Sequence, residues 1–249
     1  MRSVVLIPTY NEIDSLPSAL DRVRSAAVQA HILVIDDNSP DGTGALADAR
    51  AQNDDHIHVL HRTEKNGLGP AYLAGFKWAL ENDFELIIEM DADGSHRAED
   101  LALLIQRAEM ADKPDLVIGS RWISGGATQG WSQKRVLLSR AGNVYINLAL
   151  GLNVRDATAG FRVYRADLLR RMDLNKVEAL GYGFQVNMTL LVYQVGGRIV
   201  EMPITFLERE AGESKLSGGI FTEELKLVTR WGVKHRGKQL RQALGKLRK

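Results

Sequence analysis

The chain of 249 residues has no cysteine, which excludes disulfides and thiolate metal sites. That absence fits a reducing compartment. Aromatic residues make up only 6% and are not interleaved with basic ones, so nothing in the pattern speaks for nucleic acid. No run reaches the ~18 apolar residues needed to cross a bilayer. The longest candidate, Val136 to Leu152, is broken by Arg140, Asn143 and Asn147. The first apolar run stops at Pro8, too short for the core of a signal peptide. The expectation is therefore a protein without leader or span, which at a membrane lies on the surface or borrows an anchor. Net charge is only +1, yet Lys234, Arg236, Lys238, Arg241, Lys246, Arg248 and Lys249 follow one another with no acid between them. Such a run is either a solvated tail or a footprint for an anionic surface.

What is present is an ordinary globular composition, 45% hydrophobic and 25% charged. The first half alternates two periods. Strands are expected at Ser3–Ile7, His31–Ile35, Ile57–His61, Leu86–Met90 and Leu116–Ser120. Helices are expected at Ile13–Ala27, from Gly42 to about Asn53, at Leu68–Asn82 and at Ala98–Asp112. This alternation predicts an α/β fold with a doubly wound, mostly parallel sheet. The second half is less regular. Ile123–Trp131 reads as a mobile glycine-rich loop, Lys134–Leu150 as an amphipathic helix, and Phe161–Tyr164 and Arg198–Met202 as strands. Helices are expected at Phe184–Gln194 and Ile220–His235, with a second glycine-bearing loop at Gly212–Gly219. No repeat or linker divides the chain, so one domain is expected over 1–249.

In open α/β sheets, ligands bind beyond the carboxyl ends of the strands. Three acidic segments fall there: Pro8-Thr9-Tyr10-Asn11-Glu12, Asp36-Asp37 and Asp91-Ala92-Asp93. Converging carboxylates are costly unless a cation or a hydrogen-bonding ligand meets them. Asp91 and Asp93 are suited to a divalent metal and a ribose. Oxygen ligands without Cys or His favour Mg²⁺ or Mn²⁺, which typically bridge carboxylates and substrate phosphates. The plainer reading makes Asp93 or Ser95 a helix cap. Asp37 similarly reads as turn chemistry or as a contact to a base or ribose, and Glu12 as a first-turn acid or a nucleotide contact. There is no dinucleotide glycine fingerprint after the first strand and no phosphate-binding P-loop. The six histidines are scattered and read mostly as surface residues.

These segments together resemble the family-2 inverting glycosyltransferases of GT-A fold, most of all the polyprenyl- and dolichyl-phosphate mannose synthases. The resemblance covers residues 8–12, 36–43, Gly67–Tyr72 and Met90–His96. It continues through Gly119–Arg121, Trp131–Arg135, Ser139–Asn143, Asp156–Arg165, Gly181–Gln185 and Gly212–Leu216. It implies a Rossmann-like GT-A sheet with C-terminal acceptor-side helices. It divides the chain into a nucleotide-sugar half to about residue 122, an acceptor half over 123–235 and a basic tail over 236–249. Pro8, Tyr10, Glu12, Ile35 and Asp37 would hold the nucleoside. Asp91, Ala92 and Asp93 would hold ribose, metal and diphosphate, with Ser95 reaching the ion through water. Arg121, Arg209 and Lys215 would meet donor phosphates or acceptor. Arg121, Lys134, Arg135, Ser139 and Arg140 would steer the acceptor phosphate, and Asp93 and Arg121 would be the catalytic pair.

The implied reaction is inverting transfer of mannose from GDP-mannose to polyprenyl phosphate. It needs no general base, because a phosphate acceptor is already ionised near neutral pH. The implied setting is peripheral, on the cytoplasmic side of an anionic membrane, with room for a separate anchor protein. Several relatives have an acid where Asn187 stands, which leaves that position's role open. A transferase using a UDP-sugar, a sugar nucleotidyltransferase and a non-catalytic scaffold remain the competing readings.

Overall fold

The computed structural model describes residues 1–179, 181, 183–208 and 225–237. Its main sheet has seven strands: β1 (Ser3–Thr9), β2 (His31–Asp36), β3 (Ile57–His61), β4 (Leu86–Glu89), β5 (Leu116–Ser120), β7 (Arg162–Arg165) and β8 (Ile199–Pro203). Their order is β3-β2-β1-β4-β7-β5-β8, and every pairing is parallel except those of β7. The helices are α1 (Leu16–Ala26), α2 (Thr43–Ala51), α3 (Leu68–Glu81), α4 (Ala98–Glu109), α5 (Gln133–Leu150), α6 (Ala166–Arg171) and α7 (Phe184–Gln194), and residues 225–237 are helical as well.

The strands are continuous apolar runs because helices cover both faces of the sheet. Side chains alternate between the faces. Val4, Leu6, Leu33 and Ile35 join one core with Tyr72 and Phe76 of α3 and Phe184 and Met188 of α7. Val5, Ile7, Ile32 and Val34 join the other with Leu16 and Leu20 of α1 and Leu101 and Leu104 of α4. Gly75 lets α3 lie close to the sheet: a Cβ there would sit 2.6 Å from Ile35 Cδ1 and 2.9 Å from Leu6 Cδ1. Apart from helix ends, such as α1 starting at Leu16 beside Pro17, the elements expected over the described residues appear close to their expected bounds; the loop expected at Gly212–Gly219 and the expected helix start at Ile220 lie outside the described residues.

The sequence pattern did not reveal how β7 pairs. It runs antiparallel between β4 and β5, with Arg162 opposite Glu89 on one side and Ile118 on the other. An antiparallel strand starts where its parallel neighbours end. The segment just before β7 is therefore delivered to the ligand edge of the sheet. The glycine-rich stretch after β5 is also better fixed than its composition suggests. It contains β6 (Ala127–Thr128), paired in parallel with β9 (Thr205–Phe206), and Gln129 N donates to Phe206 O.

Helix α5 carries two apolar stripes rather than one. Ile146 and Leu150 are buried in the core, as is Leu152 beyond the helix. Leu137, Leu138, Val144 and Leu148 face outward, with Leu137 and Leu148 each 71% exposed. The helix thus has one face in the core and one exposed apolar face. The helix over 225–237 packs beside it, with Tyr145 and Thr229 hydroxyls 2.5 Å apart and Arg236 Nη2 donating to Leu148 O. That helix adds Val233, 73% exposed, to the outward apolar surface. Among the described residues no helix is long and apolar enough to cross a membrane.

Candidate active site

Strands β1 and β4 are neighbours, but the chain winds to β2 and β3 on one side and to the later strands on the other. The crevice at such a reversal is where α/β sheets take ligands. On the β2 side, Thr9 and Asp36 close paired strands, and Asp37 N donates to Thr9 O. Asp36 is used up in the turn, accepting from Ser39 N and Oγ. Asp37 is buried, with Arg62 Nη1 2.5 Å from its carboxylate. Burial raises the Asp37 pKa, and Arg62 opposes that rise. Tyr10 lies half-buried under Lys65, whose Nζ is 3.7 Å from the ring centre. Glu12 accepts from the Ser15 hydroxyl at the start of α1, and Pro8 is half-buried nearby in β1. Ile35 lies one residue before the end of β2. Its side chain is wholly buried in the core against Gly75, so it offers a nucleoside no side-chain surface.

Beyond β4, Asp91 accepts from the Tyr72 hydroxyl, and its own N–H donates to His96 Nδ1. Asp93 accepts from Ser95 N at 3.0 Å and Ser95 Oγ at 2.6 Å. The helix-cap reading of these residues fails, because the N-cap of α4 is Arg97. Instead, Asp93 and Ser95 shape their own loop, and the Ser95 hydroxyl acts as a donor to Asp93. Ala92 is buried between the two acids. His96 is also buried, stacked on Phe161; the other five histidines keep some exposure, His61 the most.

The segment before β7 joins these acids to Arg121. Arg121 Nε and Nη2 each lie 2.7 Å from the Asp156 carboxylate, and Arg121 N also donates to it. Arg121 Nη2 reaches Thr158 Oγ1 as well. From the other side, Arg162 Nε and Nη2 donate to the carbonyls of Ala159 and Ala157. The segment 156–160 is thus gripped by one arginine through its side chains and by another through its backbone. It brings Gly160 to Asp91: a Cβ there would lie 3.8 Å from Asp91 Oδ2. Arg121, expected as a phosphate ligand, is therefore a buried ion-pair partner in this structure.

Arg135 and Arg140 meet Arg121 around aromatic rings. Arg135 lies 3.8 Å from the Trp131 ring centre and Arg140 5.0 Å from that of Trp122, while Arg121 is 5.3 Å from both. Arg135 also pairs with Glu208. Lys134 is exposed, and Ser139 sits half-buried in the second turn of α5. Arg209 and Lys215 lie outside the described residues.

The sequence of residues 4–173 matches the model of glycosyl transferase family 2. The chain belongs to that family. The transferase is 54% identical to the undecaprenyl-phosphate mannosyltransferase of Micrococcus luteus, over 98% of this chain and 100% of that one. It is 48% identical to the polyprenol monophosphomannose synthase of Mycolicibacterium smegmatis, over 94% and 88%. Two solved structures share its fold. Glucosyl-3-phosphoglycerate synthase from Mycobacterium tuberculosis aligns with a TM-score of 0.65 at 16% identity, covering 95% of this chain and 80% of that one. The mannosyltransferase PcManGT from Pyrobaculum calidifontis, solved with GDP-Man and Mn²⁺, aligns at 0.58 and 16%, covering 98% and 75%. These neighbours show the GT-A architecture of a mostly parallel sheet flanked by helices.

The transferase's acids fit a divalent cation of one kind. Among the described residues, no three His, Asp or Glu side chains converge to hold an ion unaided. Asp91 and Asp93 supply carboxylate oxygens from one loop, the donor set of an ion that completes its shell with substrate phosphates and water.

Asp156, Thr158 and Arg162 lie in a segment that carries the resemblance but have no expected role in the sequence, and neither has Glu89. Glu89 is wholly buried at the end of β4, with one oxygen 2.8 Å from Gln185 Nε2 and the other without a partner among the described residues. The signal for it was a lone acid in the otherwise apolar run from Leu86 to Met90. Burial pushes its pKa up from 4.5 to about 8, against the pull of Arg162. The folded transferase then keeps a proton that the unfolded chain releases near 4.5. Stability from this group is full below that pH and is lost as pH rises towards 8. The expected outcome is that Glu89→Gln gains on the parent in metal-free urea melts as pH is raised from about 5 to about 8. With each pKa unit equivalent to about 1.4 kcal/mol, the gain should reach one to a few kcal/mol. Parallel stability profiles would show that Glu89 titrates as an ordinary carboxyl.

Asn187, the position left open by the resemblance, has a structural role. Its Oδ1 accepts from the backbone N–H groups of Glu178 and Ala179. An acid there would accept the same bonds.

Proposed function

We propose that the enzyme transfers mannose from GDP-mannose to a polyprenyl phosphate, with inversion at the anomeric carbon, on the surface of an anionic membrane. The observation that carries this reading is a juxtaposition. A carboxylate pair suited to a metal–diphosphate lies one loop away from an arginine–tryptophan cluster, and that cluster opens onto a helix with an apolar outer face. Such an arrangement suits an anionic donor, an anionic acceptor head group and a lipid tail. The two mannosyltransferase relatives, similar over nearly the whole chain, support the sugar and the acceptor.

In this reading Pro8, Tyr10, Glu12 and Asp37 receive the nucleoside, and Arg62 holds Asp37 in place. Asp91 and Asp93 hold Mg²⁺ or Mn²⁺. The bound cation would neutralise the departing nucleoside diphosphate. Arg135, Arg140, Lys134 and Ser139 draw the acceptor phosphate in. Arg121 is kept at the strand end by Asp156 and Thr158, between donor and acceptor. An ionised phosphate oxygen attacks the sugar directly, so the protein's task is to bring two anions together and exclude water. Arg209 and Lys215 complete the donor side.

Thermal-shift measurements with GDP and UDP, each with and without Mn²⁺, test the donor. GDP with metal should stabilise most; a larger shift with UDP would move the assignment to a UDP-sugar transferase. The membrane role rests on the exposed stripe of α5 and the basic residues near the C-terminus. Near an anionic leaflet each Lys or Arg is worth about 1 kcal/mol. The protein should float with anionic liposomes at low salt and less at high salt, and truncation after Gly237 should weaken binding. Absent or salt-insensitive flotation would contradict this.

A further inference from the structure

Two indole N–H groups in the acceptor half have no acceptor among the described residues. Trp122 and Trp131 both bury Nε1 away from solvent without a hydrogen-bond partner. An indole nitrogen can only donate, and buried donors in folded proteins are nearly always paired. Trp231 shows the ordinary arrangement, its Nε1 3.0 Å from a Glu178 carboxylate oxygen. The two unpaired indoles are neighbours, edge to face, with ring centres 6.3 Å apart.

Their surroundings narrow the ligand. Guanidinium groups of Arg121, Arg135 and Arg140 lie over these rings at 3.8 to 5.3 Å. Among the described residues, the carboxylates beside them, Glu208 and Asp156, are engaged with Arg135 and Arg121. The cluster therefore presents donors and positive charge. A sugar hydroxyl would also require acceptors; an oxyanion of phosphate requires none. The cluster joins the end of β5 to the start of α5, and the outward apolar stripe begins there at Leu137. Head-group and tail chemistry lie side by side.

We propose that Trp122 and Trp131 donate their Nε1–H groups to the phosphate oxygens of an isoprenoid phosphate, binding the acceptor head group together with Arg135 and Arg140. This rests on the acceptor being a lipid phosphate, as proposed above. The rings serve twice: their faces hold the guanidinium groups by cation–π attraction, and their edges meet the anion.

The chain has four tryptophans, so ¹⁵N-indole labelling gives four side-chain resonances, assignable with single Trp→Phe variants. Citronellyl phosphate, a short soluble isoprenoid phosphate, should shift the Trp122 and Trp131 signals downfield and leave Trp78 and Trp231 in place. Citronellol, which lacks the phosphate, should move none. Movement of the same two signals by GDP and Mg²⁺ alone would assign the indoles to the donor and overturn the proposal. Trp122→Phe and Trp131→Phe should raise the acceptor KM roughly tenfold or more while the donor KM holds. Because phenylalanine also changes shape, benzothienylalanine, which replaces the N–H by sulfur, should reproduce the effect at each position. A parental acceptor KM in both benzothienylalanine proteins would overturn the proposal. If the parent enzyme transfers to a lipid phosphate while the two indole signals stay fixed, only the indole assignment fails. If it transfers to no lipid phosphate at all, the acceptor reading fails and takes this ligand with it.

Discussion

Asp93→Ala is expected to lower transfer roughly a thousandfold or more, since a metal's charge stabilisation is worth several kcal/mol and each 1.4 kcal/mol is a factor of ten. The fold should survive. The bonds of Asp93 to Ser95 N and Oγ lie within one loop. Loss of those bonds should cost about 1–2 kcal/mol. Asp93→Asn separates the two roles, because an amide oxygen still accepts from Ser95 but carries no charge for a cation. Both variants should keep the parent's circular dichroism and lose most of kcat/KM. Full activity in Asp93→Asn would remove the carboxylate from the reaction.

Asp156→Ala is expected to have the largest effect on stability. The Arg121–Asp156 pair is bidentate and buried, with side chains 9% and 0% exposed. Removing one partner leaves an uncompensated buried charge, at a cost of about 3–5 kcal/mol. Arg121→Ala leaves Asp156 in the same position, although Arg121 N and Thr158 still donate to it. In urea unfolding, the double variant should therefore be destabilised by less than the sum of the two single ones. Additive losses would mean that the pair is not coupled. The same substitution bears on function, because segment 156–160 sets both Arg121 and the approach to Asp91. Transfer by Asp156→Ala should fall even at temperatures where the protein remains folded.

Much of the sheet was legible because burial on both faces makes the strands largely apolar, as in Val4–Ile7, Ile32–Ile35 and Leu86–Ile88. The Asp-x-Asp pair was legible because it follows such a run directly. The polar frame around it was not. Arg162 and Glu89 are charged residues inside strands, and only the antiparallel entry of β7 explains why they are there. Asp156 is separated from Arg121 by α5, so no local spacing announces their pairing. The resemblance places Ile35 at the nucleoside; the period of β2 puts its side chain in the core, while Asp37, two residues on, stands beyond the strand end. Helix α5 defeated a single reading because its apolar residues belong to two faces, and only the position of the sheet shows which face is which.

The most direct test of the account is transfer by the purified enzyme to undecaprenyl phosphate in anionic vesicles, with labelled GDP-mannose or UDP-glucose and with Mg²⁺, Mn²⁺ or EDTA. The account predicts a lipid-extractable labelled product from GDP-mannose in the presence of either metal, with β configuration at the sugar, and none with EDTA. Equal labelling from UDP-glucose, or undiminished transfer in EDTA, would contradict it.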